Sequence, residues 1–342
     1  MKLQPQIAAL YEKLDGELYN FNRGERFLSL NQIMKKYHVH LRVVNGALDR
    51  LEKNGLITRE RYVGIFSNVC RNKKIPTLLL VVPDYPSPEL SGFISIIQTV
   101  FEKKPIAKLN LWRYQENERN RIPLNRSDVV LFFGDGFPFS PTELKKLSES
   151  GKPIIFTSNE MASSQFSFIN FNSISGAMIA CDHLLKQGCS RLLTIRTEPL
   201  CQGIQERLTA FQTYAKLHNV SCEQLECSTH FFESASYNAK EMLINYLAEN
   251  NFDFDGVFID SYTSAESIID VLDRIVPEKA AKIKYITFQG YGKPSEKLLS
   301  RVIMTGCSIA DFEKIFLQAL VQLYRKEISK FSIHLPMRIQ NS

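Results

Sequence analysis

The chain has 342 residues, too many for one small core, and its 44% hydrophobic and 23% charged residues are an ordinary globular balance that argues against disorder. It contains no run of 18 apolar residues, and the opening MKLQPQIAAL holds no signal-type segment, so the expectation is a cytoplasmic protein with no membrane partner. Net charge is +6 but unevenly placed: residues 1–74 carry 14 Lys and Arg against 7 Asp and Glu, the remainder 28 against 29, so one end is suited to a polyanion.

In chain order, Ile7, Leu10, Leu14 and Leu18 recur at helical spacing and predict a first helix over residues 1–20. Ser29 is placed to cap a second short helix through Tyr37, and a third begins at about His40 or Leu41. In the third helix Val44, Ala47, Leu48 and Leu51 form an apolar stripe, which turns Leu41, Arg42, Asn45, Gly46 and Asp49 outward. Gly55 ends it, and a short extended run with Arg59 and Arg61 follows. Two helices, a tight turn, a third helix and a basic ribbon are the order of a winged helix-turn-helix. Its recognition helix fits the major groove of duplex DNA, and its ribbon reaches phosphates or the minor groove. Arg42 and Asn45, three apart on one face, are suited to bidentate contacts with guanine and adenine. Lys35, Lys36, Arg59 and Arg61 are expected on phosphates.

Residues 67–76, SNVCRNKKIP, read as a polar, basic linker closed by proline, which divides the chain into 1–66, 67–76 and 77–342. From Thr77 onward, short apolar runs (TLLLVV, KLNLW, DVVLFF, PIIFT, SFINF, RLLTI, DGVFI, KYITF) alternate with amphipathic stretches such as FISIIQTVFEK, PTELKKLSES, SGAMIACDHLLKQG and ERLTAFQTYAKLHNV. Runs of that kind predict strands buried on both faces of parallel sheets. About 260 residues of the pattern exceed one compact sheet, so two α/β lobes are expected.

Residues 27–66, closest at ALDRLEKNGLIT and at Gly64 with Phe66, resemble the winged helix of the GntR family of bacterial regulators. The resemblance places DNA contacts at Ser29, Asn31, His40, Leu41, Tyr62 and Gly64. Asn31 stands where that family has an arginine, His40 and Leu41 where it has serine-arginine, Asn45 where an arginine follows the valine, and Tyr62 at the glycine of the wing tip. Residues 77–342 resemble the periplasmic-binding-protein-like body of LacI/GalR regulators, on FINFNSISGAMIACDHLLKQGCSRLLTI, ERLTAFQTYAKLHNV, FDGVFIDSYTSAESIIDVL and the terminal HLPMRIQNS. Together the two are similar to arabinose-repressor-type regulators. This implies a transcriptional regulator, most simply a repressor, that pairs as a homodimer on two-fold operator DNA and responds to a small polar effector such as a sugar.

Ligands of such folds bind between the lobes at the carboxyl ends of the strands. Those ends bring forward Asp84, Tyr85, Asp135, Phe137, Asn159, Asn172, Asp260, Tyr262 and Gln289, with neighbours Gly136, Ser158 and Tyr291. Arg207 matches the arginine that the family directs into the cleft. Arg207, Asn172 and Asp260 are expected as polar forks for hydroxyls, and Tyr85, Phe137 or Tyr262 as an aromatic face. As a strand-end side chain, Arg207 is expected to add little to the core. Ser261 and Tyr262 replace the family's Asn-Asp pair. Trp112, the only tryptophan, reads as core.

No phosphate-loop, dinucleotide, H-E-x-x-H or G-x-S-x-G motif occurs, so no enzyme, cofactor or metal is expected. The seven cysteines include no C-x-x-C pair and read as reduced thiols, and His38 and His40 as turn residues. An α/β enzyme with a regulatory head, a transport-type solute-binding protein, and a winged-helix interaction module with a degenerate cleft are the rival readings.

Overall fold

The computed structural model describes residues 3–18, 21, 23–68, 75–134, 139–157, 165–230 and 233–340. It divides into two compact units, Met1–Ile75 and Pro76–Ser342. Residues 69–74 of the expected linker lie outside the described residues.

In the small unit, α1 (Leu3–Leu18) buries Ile7, Leu10, Leu14 and Leu18 on one side. The next helix, α2 (Leu30–Tyr37), is started by a capping box in which the Gln32 N–H donates to Ser29 Oγ and the Ser29 N–H to Gln32 Oε1. His38, left-handed at φ 52°, closes α2, and His40, extended, opens α3 (Leu41–Lys53), so both histidines shape the turn. A two-stranded antiparallel ribbon follows, β1 (Ile57–Glu60) against β2 (Gly64–Ser67), with Glu60 opposite Gly64. One expectation is overturned: Gly46 does not face outward. A Cβ there would lie 2.6 Å from Ile7 Cδ1, because α1 crosses α3 at that point, and a larger residue would require the Ile7 side chain to move.

The large unit opens with β3 (Thr77–Pro83), buried along its whole length. Ser87 caps α4 (Pro88–Lys103), with Pro88 in its first turn. There follow β4 (Lys108–Tyr114), two short 3-10 turns, β5 (Val129–Phe133), α5 (Pro141–Glu149), β6 (Ile154–Thr157) and β7 (Ser167–Phe171). The chain then crosses into a second lobe through α6 (Ser173–Lys186), β8 (Arg191–Arg196), α7 (Gln202–Leu217), β9 (Ser221–Glu226), α8 (Ala235–Glu249), β10 (Gly256–Ile259), α9 (Tyr262–Ile275), α10 (Pro277–Ala280), β11 (Lys284–Gln289), α11 (Glu296–Leu299) and β12 (Val302–Gly306). It returns through α12 (Ile309–Tyr324) and β13 (Ser332–Leu335) to the first lobe, and crosses again into β14 (Arg338–Gln340) of the second.

Each lobe has one six-stranded sheet, ordered β13-β7-β6-β5-β3-β4 and β14-β12-β11-β10-β8-β9. All ladders in them are parallel except β12 with β14. Two parallel-sheet lobes flanked by helices are thus present as expected. The run KLNLW is not buried on both faces, however. It forms edge strand β4, where Leu111 is 40% exposed, and Trp112 is half-buried against the outer cluster of the first lobe. Because the chain passes between lobes three times, near residues 172, 307 and 336, a core of aromatics grows across the junction. Tyr291 of the second lobe packs against Phe93, Phe171 and Phe312 of the first, at centroid distances of 4.7, 4.7 and 5.3 Å.

Among the described residues no helix is long and apolar enough to cross a membrane, no cluster of His, Cys, Asp and Glu is built to hold a metal ion, and the six described cysteines are free.

Candidate functional sites

The small unit presents the start of α3 to solvent: Leu41 is 46% exposed, Arg42 is exposed and Asn45 half-buried. Asn31 is exposed in the first turn of α2, while the Ser29 hydroxyl is occupied as its cap. At the ribbon tip Tyr62 is 93% exposed in a left-handed conformation (φ 64°), and the Arg61 guanidinium lies over its ring at 5.0 Å; Gly64 opens the return strand. Tyr62 therefore holds the backbone geometry for which glycine is the usual residue.

Two expected phosphate contacts are committed elsewhere. Arg59 donates to Glu52 Oε2 from Nε and Nη2 (2.8 and 2.6 Å) and to Asp49 Oδ1 from Nη2 (2.6 Å), while its own N–H donates to Glu52 Oε1. That pairing raises the guanidinium pKa and lowers the Glu52 carboxyl. Lys36 and Tyr37 both bond Glu17. Among the described residues Lys35 and Arg42 have no ion-pair partner and remain presented.

The large unit contains a cavity of about 820 Å³ between its lobes, at the carboxyl ends of β3, β5, β7, β8, β10 and β11. Tyr85, Asn172, Arg207, Asp260 and Tyr262 line it. Asp84 and Gln289 do not: the Asp84 carboxylate faces Arg113 at 3.9 Å on the edge strand, and Gln289 packs against Gly306 of the neighbouring strand. Asp135, Phe137 and Asn159, with Gly136 and Ser158, lie outside the described residues.

Within the cavity, roles differ from those expected. Asp260 is no exposed fork. It is fully buried, and its carboxylate accepts from the Thr197 N–H (3.0 Å), the Thr197 hydroxyl (2.7 Å) and the Glu198 N–H (3.3 Å), fixing the turn after β8. Burial, then the charge of Glu198, pushes its carboxyl up to about 6. Arg207 is not a strand-end residue: it lies in the second turn of α7, stacked over Phe288 at 3.3 Å from the ring centroid, with Nη1 donating to the Asp260 carbonyl. Burial lowers its pKa, and its Nε has no partner. Arg207 is therefore part of the cavity floor, and removing it costs packing as well as charge. The Asn172 side chain caps α6 by accepting from the Ser175 N–H (2.9 Å).

Glu89 and Glu198 are among the cavity residues that were not anticipated. Glu89, in the first turn of α4, reaches across to the second lobe, where Oε1 accepts from the Tyr291 N–H (2.6 Å) and Oε2 from the Gly292 N–H (3.0 Å). Burial is the first cause of its raised pKa. Gly-Tyr-Gly at 290–292 permits that approach, since a Cβ on Gly290 would meet Glu89 Oε1 at 1.8 Å and one on Gly292 the Tyr262 hydroxyl at 1.5 Å. Glu198 follows β8 and accepts from the Thr263 hydroxyl at 2.6 Å. The strand-end rule applied to RLLTI would have found Glu198, and the paired glycines mark the close approach to Glu89.

No family model matches the sequence, and no curated protein matches it. Solved structures do match. A LacI transcriptional regulator from a Rhodococcus species is 14% identical, with 77% of this chain and 96% of that one covered and a TM-score of 0.63. A LacI-family regulator from Enterococcus faecium with bound ribose is 15% identical, covering 77% and 96%, at 0.62. A carbohydrate-transporter solute-binding protein from Agrobacterium radiobacter in complex with D-arabinose is 14% identical, covering 79% and 96%, also at 0.62. Likeness at this identity speaks to fold, and the fold of the large unit is that of a periplasmic-binding-protein-like domain, the body shared by LacI-type regulators and sugar-binding proteins.

Proposed function

We propose that the chain is a ligand-responsive transcriptional regulator. Its first 66 residues act as a winged helix-turn-helix of GntR type on operator DNA, and residues 77–342 bind a small polar, sugar-like effector and pair two copies as a homodimer. The observation that carries the reading is the union, in one chain, of a basic three-helix unit with an exposed α3 and ribbon tip and a two-lobed unit with a polar cavity at its strand ends. Arg42 and Asn45 are assigned to base edges, and Lys35 and Arg61 to phosphates. A ligand that prefers one arrangement of the two lobes shifts the paired heads, and operator affinity with them; repression is the simplest outcome. Resemblance to solute-binding proteins extends to the body alone, and the basic head favours a regulator.

A binding selection tests this, with the full-length protein and genomic duplex fragments at 50 mM salt, repeated with candidate sugars. The expected result is enrichment of a two-fold sequence, altered by at least one ligand. An absence of enrichment removes the DNA-binding reading. The exposed apolar residues Leu30 and Leu41 on the same unit (37% and 46%) would then support the interaction-module reading instead.

A further inference from the structure

Resting on the ligand-responsive reading, we infer that the effector carries a protonated amine: the cleft is built to receive an ammonium group, most economically that of an amino sugar, and to reject sugar phosphates and sugar acids. Its inner wall brings together Glu89, Glu198 and Asp260 with a single guanidinium, Arg207. Burial raises the pKa values of Glu89 and Asp260, and the charge of Glu198 adds to the rise in both, as like charges in a confined space do. Arg207 offsets part of that charge, acting on both Glu89 and Asp260, but one guanidinium cannot balance three carboxylates, and its Nη1 is directed at the Asp260 carbonyl rather than at a carboxylate. Glu206 and Glu233 add negative charge at the cavity wall, against the exposed imidazoles of His230 and His334.

Carboxylates alone would not identify a ligand, but the buried hydrogen-bonding inventory leans the same way. Asn170 is 8% exposed and lines the cavity, and its Oδ1, an acceptor, has no partner. Buried acceptors left unpaired are costly, and an ammonium, with three donors and no acceptor, satisfies them. A metal ion does not suit the donor set, because no metal-type cluster exists among the described residues. Among the described cavity residues the Arg207 Nε and the Tyr262 hydroxyl are also buried without partners, and both can donate to a hydroxyl beside the amine, which favours an amino sugar over a polyamine. Phe133 and Phe171 offer apolar faces for the ring carbons.

The test is calorimetric titration and thermal shift of the full chain with matched series: the common hexoses, their 2-amino forms, the N-acetyl and 6-phosphate derivatives of those amines, the corresponding uronic acids, and putrescine. At least one amino sugar is expected to bind about tenfold or more tightly than its neutral parent and N-acetyl form, and Glu198→Gln should cost the amino sugar about tenfold more affinity than it costs the neutral parent, so that the preference is lost. Putrescine binding, lost in the same variant, would support the ammonium site and assign its source to a polyamine. Tighter binding of a neutral sugar or an anion, or equal losses for amine and parent in Glu198→Gln, would overturn the inference while leaving a ligand-responsive regulator in place. No binding across the series would overturn it too; a two-fold operator still recovered in the selection would then show that the DNA-binding half of the proposed function survives.

Discussion

In the small unit the ionisable side chains stand in water: Arg42 and Arg61 are exposed, and even the paired Arg59 and Glu52 side chains are 33% and 37% exposed. In the cleft Asp260 has no exposure, and its carboxylate must be solvated by the protein's own N–H and O–H groups. Charge in the first setting is screened by water and salt, so a single exposed charge contributes little to stability. In the second setting each charge acts alone and strongly, because the medium screens it poorly. A tally of charges along the sequence therefore describes the head well and the cleft badly. The residues after 74 sum to near neutrality, yet three carboxylates meet at one wall of the cavity.

The largest effect expected from the head is its response to salt. Several phosphate contacts shared between two heads should make operator affinity fall roughly 10³-fold between about 50 and 200 mM salt. Fluorescence anisotropy across that range checks it, and a flat profile would break the contrast with the cleft. In the cleft, the expected effect is on stability against pH. A carboxyl whose folded pKa lies above its unfolded value stabilises the protein below the unfolded pKa, and that contribution is lost as pH rises through the folded one. For Asp260 the window runs from its ordinary 3.8 to about 6. Between those limits the wild type should lose, relative to Asp260→Asn, on the order of 3 kcal/mol. Urea denaturation of both proteins at intervals from pH 4 to 7 measures the difference, and parallel curves would show that Asp260 is not so buried.

Two arginines of the head sharpen the comparison at smaller scale. Arg42, exposed at the start of α3, is assigned to a base edge, so Arg42→Ala should cost about 1–3 kcal/mol of operator binding and relax preference at one base pair. Arg59 is held by Glu52 and Asp49, so Arg59→Ala should lower the head's stability by about 0.5–1 kcal/mol with little change in sequence preference. Chemical denaturation and binding selection on the same two variants separate the roles. A loss of base preference from Arg59→Ala would restore it to the DNA surface.

The fold was legible because its signals are periodic. All eight apolar runs quoted from the sequence became strands, and the helix over 41–53 was placed by four apolar residues and a glycine. Four strands escaped: the polar β9 and the short β13 and β14, whose positions depend on neighbours rather than on composition, and β12, whose apolar stretch Val302–Met304 is only three residues long. The site was legible by position and not by role. Arg207 and Asp260 do line the cavity, but no spacing rule shows that Phe288 lies under the one or that three donors of the Thr197–Glu198 turn surround the other. Glu89 was hidden for a related reason: an acidic residue in a first turn, after Ser87 and Pro88, reads as helix-dipole complement, and only the fold brings residues 291 and 292 to it. Gly46 was misplaced because a glycine adds nothing to an apolar stripe, and the crossing of α1 is not local information.

The smallest expected effect lies at Tyr62, where the two kinds of contribution can be read apart in one residue. Its φ of 64° costs a non-glycine residue about 1 kcal/mol, and Tyr62→Gly relieves that strain while adding conformational freedom to the unfolded chain. These oppose each other, so the head's stability should change by less than about 0.5 kcal/mol. Its ring, 93% exposed and under the Arg61 guanidinium at 5.0 Å, contributes little to the core but restricts where that cation points. Tyr62→Gly frees Arg61, so affinity for duplex DNA should fall a few-fold for every sequence alike, in keeping with a phosphate contact at the ribbon tip. Anisotropy titrations against operator and scrambled duplexes, beside a denaturation curve, provide both readings. A change confined to the operator would make the ribbon tip a reader of sequence, and a stability loss above about 1 kcal/mol would mean that the ring is packed rather than presented.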